Sequence, residues 1–209
     1  MSPEDPDVLN SYGQFKRHTG EYLEAIRLGR LALQADPETS GRYYQLGISH
    51  RYSKNFGASA SNLRRAIALN PTAGNAHAQL AFTEISRGNH SVALREFQAA
   101  EHLFGEDAPD WRIAQLAFGY SQLGRRGDVL RLYERLEGMD AVGHASWAMA
   151  DVARGAYGEA LGHLEAAVDS SGAGGGSPLL GELRANVYSD PALEGPQFKS
   201  LLDGVAASD

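Results

Sequence analysis

A 34-residue repeat is the feature that most limits how this chain can fold. Four sets of residues recur at this step and in one phase, and the first set is Pro3, Pro37 and Pro71. A fixed period of this length is typical of proteins built by stacking copies of one supersecondary unit. The other sets are Tyr12, Leu46 and Leu80; Gly13, Gly47 and Ala81; and Ala32, Ala66 and Ala100.

Two further copies follow with less regular spacing. Leu116-Ala117 and Trp147-Ala148 again place a large apolar residue before a small one, after steps of 36 and 31 residues. A glycine comes eight residues after the large residue in both copies. We therefore expect five repeats, near residues 6–39, 40–73, 74–107, 110–140 and 141–172.

Each repeat predicts two helices joined by a tight turn. Glycines such as Gly20 and Gly88 stand where the first helix must end, and glycine adopts the left-handed C-cap conformation without steric cost. Pro37 and Pro71 stop the second helices, because proline lacks the amide donor and restricts the residue before it. Small residues between the helices allow close approach of neighbouring backbones.

Some residues depart from this pattern. Lys54 replaces the turn glycine of the second repeat, and Gly105 replaces the terminal proline of the third. Val129 and Leu136 replace two small alanines in the fourth repeat. We expect the fourth repeat to pack less regularly than the others.

The period and these residues resemble the tetratricopeptide repeat (TPR) family. The clearest copies are LGISHRY, LAFTEISRGNHSVAL, LAFGYSQLGRRGDVL and WAMADVARGAYGEAL, and the resemblance extends from Pro6 to about Gly172. It implies an all-α fold, a right-handed α-solenoid of about five helix hairpins within residues 1–172. Because one hairpin cannot bury its own apolar face, stability in such an array comes from the stacking of neighbours.

The C-terminal residues predict a linker and a cap. Residues 173–177 are glycine-rich, and residues 178–209 predict two short helices that close the array. Residues 183–202 are similar to the closing segment of TPR regions in bacterial signalling proteins, where a nucleotidyl cyclase, winged-helix activator or Ser/Thr kinase domain precedes the repeats. Pro3 has the phase of a proline that closes a preceding repeat, so we expect the chain to be the C-terminal part of a larger protein.

Composition and motifs exclude several functions. The chain has no cysteine and a net charge of -7, which argue against disulfides and against nucleic-acid binding. No apolar stretch is long enough for a membrane helix, and we expect a cytoplasmic protein. Phosphate-loop, HExxH and GxSxG motifs are absent, and the seven histidines include no i, i+4 pair. The sequence therefore predicts neither catalysis, nor a cofactor, nor a metal site.

The family resemblance implies a binding groove. In TPR arrays the first helices line a concave surface, which suits an extended or helical peptide. Arg17 and Arg51 lie one repeat apart and could hold a carboxylate or phosphate. Transferring the groove positions to this sequence gives Asn10, Gln14, Arg17, His18, Tyr44, Ile48, Arg51, Tyr52, Asn75, Phe82, Ile85, Trp111, Phe118, Gln122, Met149 and Val152.

Alternatives remain open at this point. Phe82, Phe118 and Met149 could pack against adjacent first helices, or the capping segment could occupy the groove. The sequence favours a scaffold that binds a protein or peptide, and the alternative is a regulatory segment of an enzyme (cyclase, kinase or transferase) whose catalytic domain lies upstream. The charged groove residues that grip chaperone C-termini are missing, which argues against that role.

Overall fold

The computed structural model describes residues 5–171, together with Phe198 and Ser200, and residues 5–171 form ten α-helices without a strand. The prediction of an all-α fold is therefore confirmed for these residues. The helices are α1 (Pro6–His18), α2 (Tyr22–Ala35), α3 (Ser40–Tyr52), α4 (Phe56–Leu69), α5 (Gly74–Ser86), α6 (His90–Phe104), α7 (Asp110–Gln122), α8 (Arg126–Glu137), α9 (His144–Arg154) and α10 (Tyr157–Ser171).

Consecutive helices pair into five hairpins, and each hairpin lies within one of the predicted repeats. The chain divides into two compact units, an N-terminal unit (Met1–Gly105) with α1 to α6 and a C-terminal unit (Glu106–Asp209) with α7 to α10. The predicted linker at 173–177 lies outside the described residues. So does the predicted cap at 178–209, apart from Phe198, which is buried, and Ser200, which is exposed.

One turn geometry ends the first helix of all five hairpins. A residue with positive φ follows the helix, and the amide of the next residue donates to the carbonyl five residues back, as in a Schellman motif. For Asn89 and Glu84 this N···O distance is 2.8 Å. The positive-φ residues are Gly20, Lys54, Gly88, Gly124 and Gly155.

Lys54 adopts this turn with φ 60° although it is not a glycine. The left-handed conformation costs an L-residue roughly 1–2 kcal/mol. The hydrogen bond from the Asn55 amide to the His50 carbonyl nevertheless forms at 2.8 Å, as in the other hairpins. Replacement of the turn glycine by Lys54 therefore leaves the turn geometry unchanged. The cost is local backbone strain at Lys54.

The second helices α2 and α4 end identically. Asp36 and Asn70 have extended backbone, and their side chains accept from the amides two residues on, Glu38 and Thr72. The intervening prolines cannot continue the helix. Helix α6 ends differently, at Gly105 with φ 69° and ψ -169°, a conformation essentially restricted to glycine.

The interior alternates large and small side chains, as the repeat predicts. A Cβ atom added to Gly47 would lie 2.7 Å from Cγ of Leu63, so only hydrogen fits where α3 meets α4. Leu63 packs with Ala60 and Leu80 in one cluster of the N-terminal unit. Ala32, Ala66 and Ala100 are all fully buried.

Stacking between hairpins differs in the two units. In the N-terminal unit α2 packs against α3 and α4 against α5, so a second helix contacts the next first helix. In the C-terminal unit α9 packs mainly against α7 and only weakly against α8. None of the described helices is both long and apolar enough to span a bilayer.

Candidate functional site

A strip of arginine and aromatic side chains runs along the first helices of the N-terminal unit. Arg17 on α1 donates from Nη1 to Oε1 of Gln45 on α3, at 2.9 Å. The guanidinium of Arg51 lies 5.0 Å from the ring centre of Tyr52 and 5.7 Å from that of Phe82 on α5. We call Arg17, Tyr44, Arg51, Tyr52 and Phe82 the Arg–aromatic strip.

The two arginines of the strip raise the positive potential of this surface. Burial lowers the pKa of Arg17 below its usual value, and the positive charge of nearby Arg51 acts in the same direction. An arginine nevertheless keeps its proton at any physiological pH. The strip therefore places two neighbouring cations beside aromatic rings. Arg17 is half-buried and Arg51 is 6% exposed, so a carboxylate or phosphate would contact Arg17 and be attracted by the charge of Arg51 behind it.

Aromatic stacking holds the strip in place. The rings of Tyr52 and Tyr22 are stacked with centres 5.8 Å apart, which joins the end of α3 to the start of α2. Phe82 meets Phe97 of α6 edge-to-face at 5.0 Å. These contacts connect Tyr52 and Phe82 of the strip to the second helices α2 and α6.

The remaining predicted site residues of the N-terminal unit differ in exposure. Asn10, Gln14, Asn75 and Ile85 are half-buried on α1 and α5, so part of each side chain reaches the surface. Ile48 is 8% exposed and Phe82 is 2% exposed, which places both side chains in the interior. Ile48 and the strip residues Phe82 and Arg51, the last of which is 6% exposed, therefore lie beneath the surface. Direct contact with a ligand falls to the half-buried residues.

The predicted site residues of the C-terminal unit are mostly interior. Phe118, Met149 and Val152 are at most 4% exposed, so their side chains belong to the core of this unit. Trp111 and Gln122 are half-buried, and the Arg112 guanidinium lies 4.9 Å from the ring centre of Trp111. For Phe82, Phe118 and Met149 this burial agrees with the alternative that they pack inside the repeats.

Two residues of the site escaped the sequence analysis. Gln45 accepts the hydrogen bond of Arg17, and Tyr22 stacks on Tyr52. A signal for the first was present, because Gln45, Gln79 and Gln115 recur in the phase of the repeat. A signal for Tyr22 was present as well, because Phe56 and Tyr157 also begin second helices, two residues after the turn residue.

The most buried carboxylate of the N-terminal unit is structural. Glu84 on α5 is fully buried, with Oε1 2.6 Å from Arg64 and 2.7 Å from Arg87, and with Oε2 accepting from Asn89 at 2.6 Å. His50 stands at the same repeat position in α3, and burial, together with the charge of Arg30, lowers its pKa. These groups join a first helix to the preceding second helix and do not face the strip.

Comparisons with known proteins show the fold. No family model and no curated protein sequence matches the chain. The TPR protein TTC0263 of Thermus thermophilus is similar with a TM-score of 0.66 and 15% identity over 97% of this chain and 98% of that chain. The chain has the fold of a tetratricopeptide-repeat protein.

Two other solved structures have the same helical arrangement. YrrB, described as a TPR protein with an unusual peptide-binding site, is similar with a TM-score of 0.52 and 19% identity over 79% of this chain and 86% of that chain. The O-GlcNAc transferase of Thermobaculum terrenum is similar with a TM-score of 0.55 and 22% identity over 65% of this chain and 27% of that chain. At these identities the similarity concerns the fold alone.

Proposed function

We propose that this protein binds a peptide or a peptide-like segment of a partner protein along the Arg–aromatic strip, and that it acts as a docking module without catalysis. The observation that supports this most directly is the pair of neighbouring arginines, Arg17 and Arg51, set among Tyr44 and Tyr52 on successive first helices. Tyrosine and arginine are the residue types enriched at the energetic centres of protein interfaces.

The chemistry of the strip defines the ligand class. The half-buried Arg17, with the charge of buried Arg51 behind it, favours a carboxylate. The half-buried tyrosine rings favour an aromatic or aliphatic side chain beside it. The chain as a whole has a net charge of -7, so the positive strip is local and does not suit a long polyanion such as nucleic acid. We therefore propose an acidic peptide with at least one large apolar residue.

Fold similarity supports this class of function. YrrB, which has the same fold, is described as having a peptide-binding site. We extend the proposed surface to Asn10, Gln14, Asn75 and Ile85 in the N-terminal unit, and we propose Trp111 and Gln122 as contact residues of the C-terminal unit. Ile48, Phe118, Met149 and Val152 are proposed to shape these surfaces from the interior.

The biological setting is also a proposal. We propose that the module works in the cytoplasm as part of a larger bacterial regulatory protein, on the similarity of residues 183–202 to the closing segment of such proteins. The alternative is a regulatory segment of an enzyme with an upstream catalytic domain. The O-GlcNAc transferase favours this alternative, because the similar region makes up only 27% of that chain.

The binding proposal can be tested with a displayed library of short random peptides. Peptides selected on the wild-type protein are expected to combine acidic residues with an aromatic or aliphatic residue. Their affinity is then measured by calorimetry for wild type, Arg17→Ala and Arg27→Ala. Arg17→Ala is expected to weaken binding by about 2 kcal/mol, the size of an interface hot spot.

Arg27→Ala is the matched control. It removes the same charge from an exposed residue of α2 that pairs with Glu24, away from the strip. Its affinity for the selected peptides is expected to equal that of wild type. Equal binding by Arg17→Ala and wild type, or a library from which no peptide is enriched, would remove the strip as the binding site.

A further inference from the structure

Two histidines that are 19 residues apart in sequence meet on the surface of the C-terminal unit. His144 is the first residue of α9 and is exposed, and His163 lies on α10 with 35% of its side chain exposed. Their Nδ1 atoms are 3.2 Å apart. The fold therefore directs two imidazole nitrogens at each other beside solvent, although the sequence spacing gave no sign of it.

This separation suits joint binding of one metal ion. Two imidazole nitrogens at about 2.0–2.1 Å from a zinc ion, with a tetrahedral or right angle between them, lie about 2.9–3.4 Å apart. The observed 3.2 Å falls inside that range. In this structure the two Nδ1 atoms face each other head-on in a hydrogen bond, with ring centres 5.5 Å apart. Both rings must therefore turn before their lone pairs meet at a common centre.

A buried carboxylate supplies the second, independent observation. Asp151 is 1% exposed, and its Oδ1 accepts from the Tyr133 hydroxyl at 3.2 Å and from Nε of Arg154 at 2.9 Å. Its Oδ2 is buried, accepts no hydrogen bond, and lies 3.8 Å from Nε2 of His163. A carboxylate facing the far nitrogen is the usual outer partner of a metal-binding histidine.

The negative charge of Asp151 also favours the tautomer that a metal requires, although the 3.8 Å separation is longer than a hydrogen bond. With its hydrogen on Nε2, facing Asp151, His163 presents the lone pair of Nδ1 toward His144. Trp147 stacks on the same ring with centres 6.1 Å apart and planes 25° from parallel, which fixes its orientation. His163 is therefore prepared as a ligand by contacts on its far edge and on its face.

We propose that His144 and His163 bind one divalent transition-metal ion, such as Zn²⁺, Ni²⁺ or Cu²⁺, through their Nδ1 atoms, with Asp151 orienting His163. On binding, the proton of His144 moves from Nδ1 to its exposed Nε2, so no net proton needs to leave. Within residues 5–171 no three His, Asp or Glu side chains converge as ligands, and we assign the other coordination positions to water.

Trp147 provides a local signal for testing this site. The chain has two tryptophans, so Trp111→Phe leaves the fluorescence of Trp147 alone to report on His163. Metal-free protein with this change is titrated with Cu²⁺, which forms the strongest complexes of the divalent series and quenches nearby tryptophan. Saturable quenching at one ion per chain, reversed by a chelator and displaced by excess Zn²⁺, is the expected result.

Three variants separate this site from nonspecific binding. His144→Ala is expected to weaken the Cu²⁺ affinity at least about tenfold, and Asp151→Asn about 10–100-fold, the range for outer-partner substitutions. His102→Ala removes another exposed histidine in the N-terminal unit and is expected to leave the titration unchanged. Quenching that is equal in wild type and His144→Ala, or absent in wild type, would overturn the proposal.

The exposure of His144 keeps this experiment interpretable. Its replacement leaves the core intact, so the His144→Ala chain is expected to keep the wild-type melting temperature in the absence of metal. If Asp151→Asn loses its fold through the contacts with Tyr133 and Arg154, the His144→Ala titration still decides the proposal. Added Zn²⁺ is expected to raise the melting temperature of wild type but not that of His144→Ala.

Discussion

The two compact units stack the same hairpin in two different ways. In the N-terminal unit a second helix packs closely on the next first helix, whereas in the C-terminal unit α9 packs on α7 and approaches α8 less closely. The side chains between the helices differ as well. Leu46 on α3 rests on Gly29 of α2, where an added Cβ would lie only 3.2 Å from Cδ1 of Leu46.

At the equivalent place in the C-terminal unit, two aromatic rings separate the helices. Tyr133 of α8 has the repeat position of Gly29, and Trp147 of α9 has that of Leu46. Their ring centres are 5.4 Å apart, so the backbones are held further from each other. Val129 and Leu136, which are both buried, enlarge the same helix where the other repeats have small residues. Leu63 has the position of Gly29 in α4, which still packs on α5, so Tyr133 is not the residue that sets α8 apart. We infer that Val129 and Leu136 change the stacking of α8, because the other second helices have alanine or serine at both positions.

The largest expected effect comes from restoring the repeat alanine in α8. Leu136 is fully buried, so Leu136→Ala is expected to remove packing and leave a cavity, with a loss of about 2–5 kcal/mol of unfolding free energy. Urea denaturation followed by circular dichroism measures this change. The sequence pattern taken alone predicts the opposite, because alanine is the residue of the other repeats.

The opposite substitution at the same repeat position tests the difference between the two units from the other side. Ala66→Leu in the N-terminal unit is expected to cost about 1–3 kcal/mol by overpacking, because Ala66 is already fully buried. At this repeat position the N-terminal unit would then require alanine and the C-terminal unit leucine. A Leu136→Ala protein as stable as wild type would mean that α8 has room to close onto its neighbours.

An intermediate effect is expected within the N-terminal unit itself. Gly47→Ala would place Cβ 2.7 Å from Cγ of Leu63, and we expect a loss of about 1–3 kcal/mol. At the same repeat position in α1, Gly13→Ala finds its nearest atom at 3.4 Å, an ordinary contact. Because alanine favours helix over glycine, Gly13→Ala is expected to gain about 0.5–1 kcal/mol.

Thermal denaturation of the two glycine variants compares close packing in neighbouring hairpins. Opposite signs for Gly47→Ala and Gly13→Ala would agree with the structure. If both variants were more stable than wild type, Leu63 would move aside freely. The close α3–α4 contact would then not require glycine at position 47.

The smallest expected effect concerns the turns, which are alike in both units. Lys54 has φ 60°, so Lys54→Gly is expected to relieve backbone strain and to raise the unfolding free energy by about 0.5–1 kcal/mol. Gly88→Lys makes the reverse change at an equivalent turn, where an added Cβ meets no atom within 4 Å. It is expected to cost a similar amount, and two thermal melts measure both. A stabilising Gly88→Lys would contradict the turn analysis.

The hairpins could be predicted from the sequence because their signals are local. A turn glycine, or Lys54 in its place, is contained in one short stretch, and the hydrogen bonds that follow from positive φ span five residues. The prolines after α2 and α4 act within one residue of the helix end. The repeat phase adds the alternation of large and small residues, which gives the all-α fold without knowledge of any distant contact.

The candidate site was predictable only in part. The phase placed Arg17 and Arg51 on successive first helices, where the structure also has them as neighbours. The same phase could not separate Tyr52, which is half-buried, from Phe118 and Met149, which are interior. The exposure of a side chain depends on how closely the next helix packs against it. The position of a residue within the repeat does not give the distance to that helix.

The sequence by itself determined the helices, their turns and their pairing, because each depends on backbone preferences over a few residues. Only the tertiary structure decided how the hairpins stack and which side chains they bring together. His144 and His163 meet at 3.2 Å because α9 and α10 fold back on each other, and Asp151 reaches the same place from the α9 interior. Contacts of this kind depend on how the side chains of several helices pack together. A local sequence pattern does not contain that information.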